Sequence, residues 1–249
     1  MVLIGYKKPE NAAEATERLR YQIRLNHAIN LLVCRQLIRD GADPNTVEGG
    51  MTALMWAAQH DNAGVVKNLV ALGADPDFKN HAGRTAMIRA VRSGAVGAVQ
   101  ALLDVKVDVN ACDNHKKTAL MHAACVAGNS LVIDLLLEAA ADLEMKNRSG
   151  RTALYYATKD SYVTKKLLEA GANMDVRDVA DLTVLEYASD EYGGDTPEDK
   201  KHLANLTSVF KEEEIRRTTK AFQDAAAKGT STSRRVIRRA VKAGYNAGQ

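Results

Sequence analysis

The chain has 249 residues and 27.0 kDa, of which 46% are apolar, enough to bury a core and to exclude disorder throughout. Its 34 Lys+Arg against 31 Asp+Glu leave a formal charge of only +3, so the overall balance does not describe a general nucleic-acid coat and any charge argument is local. Three cysteines, at positions 34, 112 and 125, exclude a dense disulfide framework and favour a reducing compartment. Met1 to Glu10 turns charged too soon for a signal-peptide core, and no stretch approaches the ~18 apolar residues that span a bilayer, so a cytoplasmic protein is expected. Four prolines and 5% aromatics argue against a sandwich or barrel, and helices are expected to dominate.

In chain order, residues 1–13 read as an N-terminal extension. Residues 14 to 40 carry Leu19, Ile23, Leu31, Leu32, Leu37 and Ile38 at helical spacing and end in Gly41-Ala-Asp43, a degenerate first unit. A repeating signal follows: Thr52-Ala-Leu-Met55, Thr85-Ala-Met-Ile88, Thr118-Ala-Leu-Met121, Thr152-Ala-Leu-Tyr155 and Thr183-Val-Leu-Glu186, at spacings of 33, 33, 34 and 31. Gly41-Ala-Asp-Pro-Asn45 and its counterparts at 73, 106, 140 and 171 keep step with it. Within one unit Thr52 caps a short helix, Ala57 and Ala58 permit close packing, and a second helix presents Val65, Val66, Leu69, Val70 and Leu72. Gly73 suits a left-handed cap, and Asp75 to Arg84 holds the turn chemistry of a projecting hairpin. One unit cannot cover its own apolar stripe, so units must stack.

These residues resemble the ankyrin repeat family over positions 41 to 178. The resemblance implies an all-α ankyrin-repeat solenoid of stacked helix-turn-helix units with projecting β-hairpin loops. The array is assigned to 14–188 and a divergent helical cap to 189–249. The family's Pro is replaced by Ala53, Ala86, Ala119 and Ala153, and its His by Met55, Ile88, Met121 and Tyr155, which shifts the balance toward apolar packing. Beyond the last regular unit, a longer loop from Ser189 to Asp195 is expected. A long or once-broken helix is predicted from Pro197 to Lys228, with Leu203, Leu206, Val209, Phe210, Ile215 and Phe222 as its stripe. Residues 225 to 246 echo one more helix pair.

The family binds protein partners through its hairpin tips and the exposed side of its first helices, a concave face. By position this selects Glu48, Met51, Gln59 and His60; His81, Arg84 and Arg92; Asn114, His115, Lys117, Cys125 and Val126; and Arg148, Arg151 and Lys159. These fifteen positions hold six Arg or Lys and one carboxylate, Glu48. The expectation is a non-catalytic scaffold or adaptor whose basic hairpin face meets an acidic protein partner; solvation of the hairpins is the plainer alternative. A second basic patch, Arg234, Arg235, Arg238, Arg239 and Lys242, lies in a segment (215 to 249) of net charge +8. It keeps two other readings open: a structural subunit of a cytoskeletal assembly, or a binder of nucleic acid or anionic membrane.

Chemistry-bearing patterns are weak. Cys112-x2-His115 and His122-x2-Cys125 have metal-ligand types, yet the repeat register puts the first pair on a hairpin and the second on a helix, and no metal or cofactor is expected. Asp43, Asp75, Asp108 and Asp142 recur at one repeat position, which assigns them to turns. Trp56 and Met55 read as core. No nucleophile elbow, phosphate loop or His-Glu-x-x-His motif occurs, and no enzyme activity or small-molecule substrate is expected.

Overall fold

The computed structural model describes residues 6–24, 31–126, 128–192 and 196–228. They fall into two compact units, 1–156 and 157–249. The described residues form twelve helices and no strand; isolated antiparallel bridges join Glu48 with Met51 and Cys112 with Thr118, and backbone bonds such as Asn80 N–H to the Arg84 carbonyl and Asn147 N–H to the Arg151 carbonyl close other hairpins.

Unit 1 begins with the pair α1 (Ala12–Arg24) and α2 (Leu31–Arg39), in the segment where a degenerate first unit is expected. The preceding residues are tied to it, Tyr6 donating its hydroxyl to Asp40 Oδ2 at 2.6 Å. Three regular repeats follow as α3 (Ala53–Gln59) with α4 (Ala63–Ala71), α5 (Ala86–Arg92) with α6 (Val96–Asp104), and α7 (Ala119–Ala124) with α8 (Ser130–Glu138). The short α9 (Ala153–Ala157) ends at the boundary. First helices pack on first helices (α3 on α5, α5 on α7), second helices on second (α4 on α6, α6 on α8), giving two layers.

The core of unit 1 lies between these layers. Met55, Ile88, Met121 and Tyr155, which stand in the family's His position, are all within 1% of full burial, each contributing about 1.5–3 kcal/mol of apolar burial. Thr52, Thr85 and Thr118 cap their helices by accepting the N–H three residues on, at 3.1, 3.3 and 3.3 Å. Thr152 departs from the series. Tyr155 N–H donates to the Thr152 carbonyl instead, and the buried Thr152 hydroxyl has no partner. The recurrent Asp43, Asp75, Asp108 and Asp142 each accept the N–H two residues on, at 2.8–2.9 Å, which is the turn role that their period indicates. The next side chain but one reaches across repeats: Asn45, Asp77 and Asn110 accept the N–H of Asp75, Asp108 and Asp142 at 2.8–2.9 Å.

Unit 2 holds α10 (Ser161–Glu169), α11 (Val184–Tyr192) and α12 (Pro197–Lys228). Thr183 and Glu186 exchange hydrogen bonds with each other's backbone N–H at 3.3 and 2.7 Å, a capping box that starts α11. The loop expected from Ser189 is helical up to Tyr192. The long α12 is continuous; of its expected apolar stripe Leu206 and Phe210 are buried, while Ile215 is exposed. Polar anchoring takes over there. Glu213, only 5% exposed, binds Arg216 and Arg217, and Arg217 Nη2 donates to the Leu168 and Ala172 carbonyls at 3.0 and 2.9 Å, closing the C-terminal end of α10. The further helix pair expected up to residue 246 lies, from residue 229 on, outside the described residues.

Candidate functional site

The open face of unit 1 follows from the repeat register. In α5 the side chains of Ala86, Met87, Ile88, Ala90 and Val91 are buried, so the helix offers solvent only Arg89 and Arg92, with Arg84 entering from the hairpin just before it. The same positions in the neighbouring repeats make three columns. One is Met51, Arg84, Lys117 and Arg151, before the helices; one is Trp56, Arg89, His122 and Tyr156, four residues after each Thr; one is Gln59, Arg92 and Cys125 near the helix ends.

His81, His115 and Arg148 are exposed on successive hairpins joined by backbone: Asn114 Nδ2 donates to the His81 carbonyl at 2.9 Å and Arg148 N–H to the His115 carbonyl at 3.1 Å. Arg84, Lys117 and Arg151 are half-buried at the hairpin bases, and Arg92 is exposed. Lys159 is exposed too, but it belongs to unit 2. Arg234, Arg235, Arg238, Arg239 and Lys242 lie outside the described residues.

The middle column was not singled out by the sequence, and it joins the rest. Trp56 does not enter the core: half-buried, it stacks against His60 with ring centroids 4.5 Å apart. Lys117 Nζ lies 4.3 Å from the centroid of the Tyr156 ring, whose hydroxyl accepts from Asn147 Nδ2 at 2.5 Å. Arg89 Nη2 donates to Met51 Sδ, while the buried Nε atoms of Arg84 and Arg89 have no partner. Among the described residues no carboxylate pairs with Arg84, Arg89 or Arg92. Burial, then the charges of Arg84 and Arg92, lower the pKa of Arg89 from its ordinary value. The signal was present in the sequence: an aromatic, an Arg, a His and an aromatic recur where the surrounding positions are apolar.

His122 is buried, and its Nε2 lies 3.0 Å from Asp113 Oδ2. Burial lowers its pKa against the pull of Asp113, leaving a neutral imidazole that donates to the carboxylate. Burial would raise Asp113, but the Lys117 N–H, the His122 ring and the His115 N–H together lower it. The Cys112, His115, His122 and Cys125 pattern thus becomes a hairpin tied to its own helix. Among the described residues no three His, Cys, Asp or Glu side chains are grouped as metal ligands, and no helix is long and apolar enough to cross a membrane.

The comparisons agree with this architecture. Residues 25–113 and 97–178 match the family described as Ankyrin repeats (3 copies), together more than half of the chain. The chain belongs to the ankyrin-repeat family. It is 32% identical over 139 residues to Putative palmitoyltransferase ZDHHC13 of Danio rerio, covering 55% of this chain and 21% of that protein. It is 34% identical over 125 residues to Neurogenic locus notch homolog protein 1 of Xenopus laevis, covering 49% and 5%. Against SH3 and multiple ankyrin repeat domains protein 2 of Homo sapiens it is 32% identical over 142 residues, covering 56% and 8%. The chain therefore spans less than a quarter of the length of each of these relatives.

Proposed function

We propose that the protein is a non-catalytic interaction module, a scaffold or adaptor that binds an acidic segment of a protein partner on the open first-helix face of unit 1. The observation that carries this reading is the cluster Arg84, Arg89 and Arg92, three cations on one helix and its hairpin with no carboxylate paired to them among the described residues. Lys117 and Arg151 extend the positive charge into the next repeats. A stack whose hairpins are already fixed by hydrogen bonds across repeats loses little entropy when a partner docks. The charges set orientation and encounter rate, and the rings of Trp56 and Tyr156 supply apolar contact area. Partner capture fits the family and the relatives, none of which identifies the partner here.

The test is simultaneous reversal of Arg84, Lys117, Arg148 and Arg151 to Glu. Association with poly-glutamate in dilute salt is expected to vanish while the thermal unfolding transition stays cooperative. Undiminished association of the reversed variant would remove the acidic-partner reading.

A further inference from the structure

The triad Arg84, Arg89 and Arg92 has a finer chemical preference than negative charge in general. Arg84 arrives from the hairpin, and Arg89 and Arg92 stand three residues apart on one side of α5. Two of the three guanidinium groups have a buried, unpartnered Nε, and Arg89 spends an Nη donor on a thioether sulfur, a weak acceptor. The carboxylate of the next repeat, Asp113, is taken up by two backbone N–H groups and His122. Cations held together without an anion are unfavourable in the free protein, and a compact multivalent anion among them relieves both the repulsion and the missing hydrogen bonds. A carboxylate offers one charge and two oxygens. A phosphate monoester offers close to two charges and three acceptor oxygens, a better match to three guanidinium forks.

The surroundings indicate what carries the phosphoryl group. Trp56 stacks on His60 one repeat before the triad, and Tyr156 is fixed under Lys117 two repeats after it. From α3 to α9 there are three helix-to-helix steps of about 10 Å, the length of about nine residues of extended chain. Because Arg84 and Arg89 are half-buried between hairpin and helix, a narrow chain reaches them better than a flat bilayer does. We infer that Arg84, Arg89 and Arg92 form a phosphoryl-binding site that reads a phosphorylated side chain within an extended acidic peptide of a protein partner, with flanking residues of the peptide lying against Trp56 and Tyr156. This rests on the acidic-partner reading and sharpens it.

The experiment titrates the full chain calorimetrically with one nine-residue peptide, Leu-Glu-Gly-Glu-X-Glu-Gly-Glu-Leu, in which X is Ser, phosphoserine or Glu, and with vesicles containing a phosphoinositide. The phosphoserine form is expected to bind about tenfold or more tighter than the other two. In Arg89→Gln, and separately in the exposed Arg92→Gln, that ratio is expected to fall below about twofold, because the phosphoserine form loses far more affinity than the Ser form does. Cooperative unfolding of Arg92→Gln guards against a folding artefact in Arg89→Gln. Equal binding of all three peptides by the wild type overturns the phosphoryl site and leaves the acidic reading standing. Tighter binding to the vesicles than to the phosphopeptide overturns it in favour of a lipid. Failure to bind any of the peptides in dilute salt overturns both readings.

Discussion

At position 113 the chain places Asp where the neighbouring repeats have Asn80 and Asn147, and the three side chains do the same work for the hairpin. Each accepts two backbone N–H groups, of residues 82 and 84, 115 and 117, and 149 and 151, at 2.8–3.0 Å. Asp113→Asn keeps both bonds and is expected to cost below about 1 kcal/mol, whereas Asp113→Ala strands two backbone donors and the His122 ring and is expected to cost about 2–3 kcal/mol; urea unfolding distinguishes them. His122 adds a pH dependence of known sign. Its folded pKa lies below the ordinary 6.5, so the unfolded chain takes up this proton first as the pH falls. Stability therefore declines from about pH 7 downward, through the ordinary value toward the lowered one, and replacing His122 by Gln is expected to flatten that slope. The Asp113 carboxyl, held below its usual range, adds stability that persists above that range and disappears only as acid reaches its lowered value. None of this pairing was visible in the sequence, because Asp113 and His122 meet only once the hairpin folds back on α7.

Among the elements, helix starts were legible and their exceptions were not. The Thr of each repeat marks the cap, yet Thr152 makes no side-chain bond because the Thr152 carbonyl has already taken the Tyr155 N–H. Thr85→Ala is accordingly expected to cost about 1 kcal/mol and Thr152→Ala less than about 0.5 kcal/mol, measured by chemical unfolding. Helix ends show a similar split. Gly73 sits at φ +94°, as its place after α4 requires, while the equivalent Lys106 and Ala140 hold φ +62° and +56° without the freedom of glycine. Ala140→Gly is expected to raise stability by about 0.5–1 kcal/mol, and a fall in the unfolding midpoint would contradict the strain assigned there. Trp56 shows why the face was only half readable. Its large ring suggested burial, but α3 covers Ala53, Leu54, Met55, Ala57 and Ala58 and leaves Trp56, four residues after Thr52, half-buried.

For the molecule as a whole, the 33-residue period carried the fold, since a period fixes which faces must be covered by the next copy. The repeats, the helix pairs and the turn role of the recurrent aspartates all follow from it. What it could not carry were the bonds between residues about thirty apart, such as Asp75 N–H to Asn45, and the continuity of α12, where Glu213, Arg216 and Arg217 replace the apolar stripe. Nor does a period say which cations lack a carboxylate partner, and that property of Arg84, Arg89 and Arg92 needs the folded repeats. That triad is the centre of the functional account. Its most direct test is the salt dependence of poly-glutamate binding by the wild type, by the triple reversal of Arg84, Arg89 and Arg92 to Glu, and by reversal of Lys67 to Glu on the second-helix layer. The wild type and the Lys67 variant should bind with the same affinity, weakening together as salt screens the face over a Debye length of about 10 Å or less, and the triple variant should not bind; equal binding by all three proteins would contradict the account.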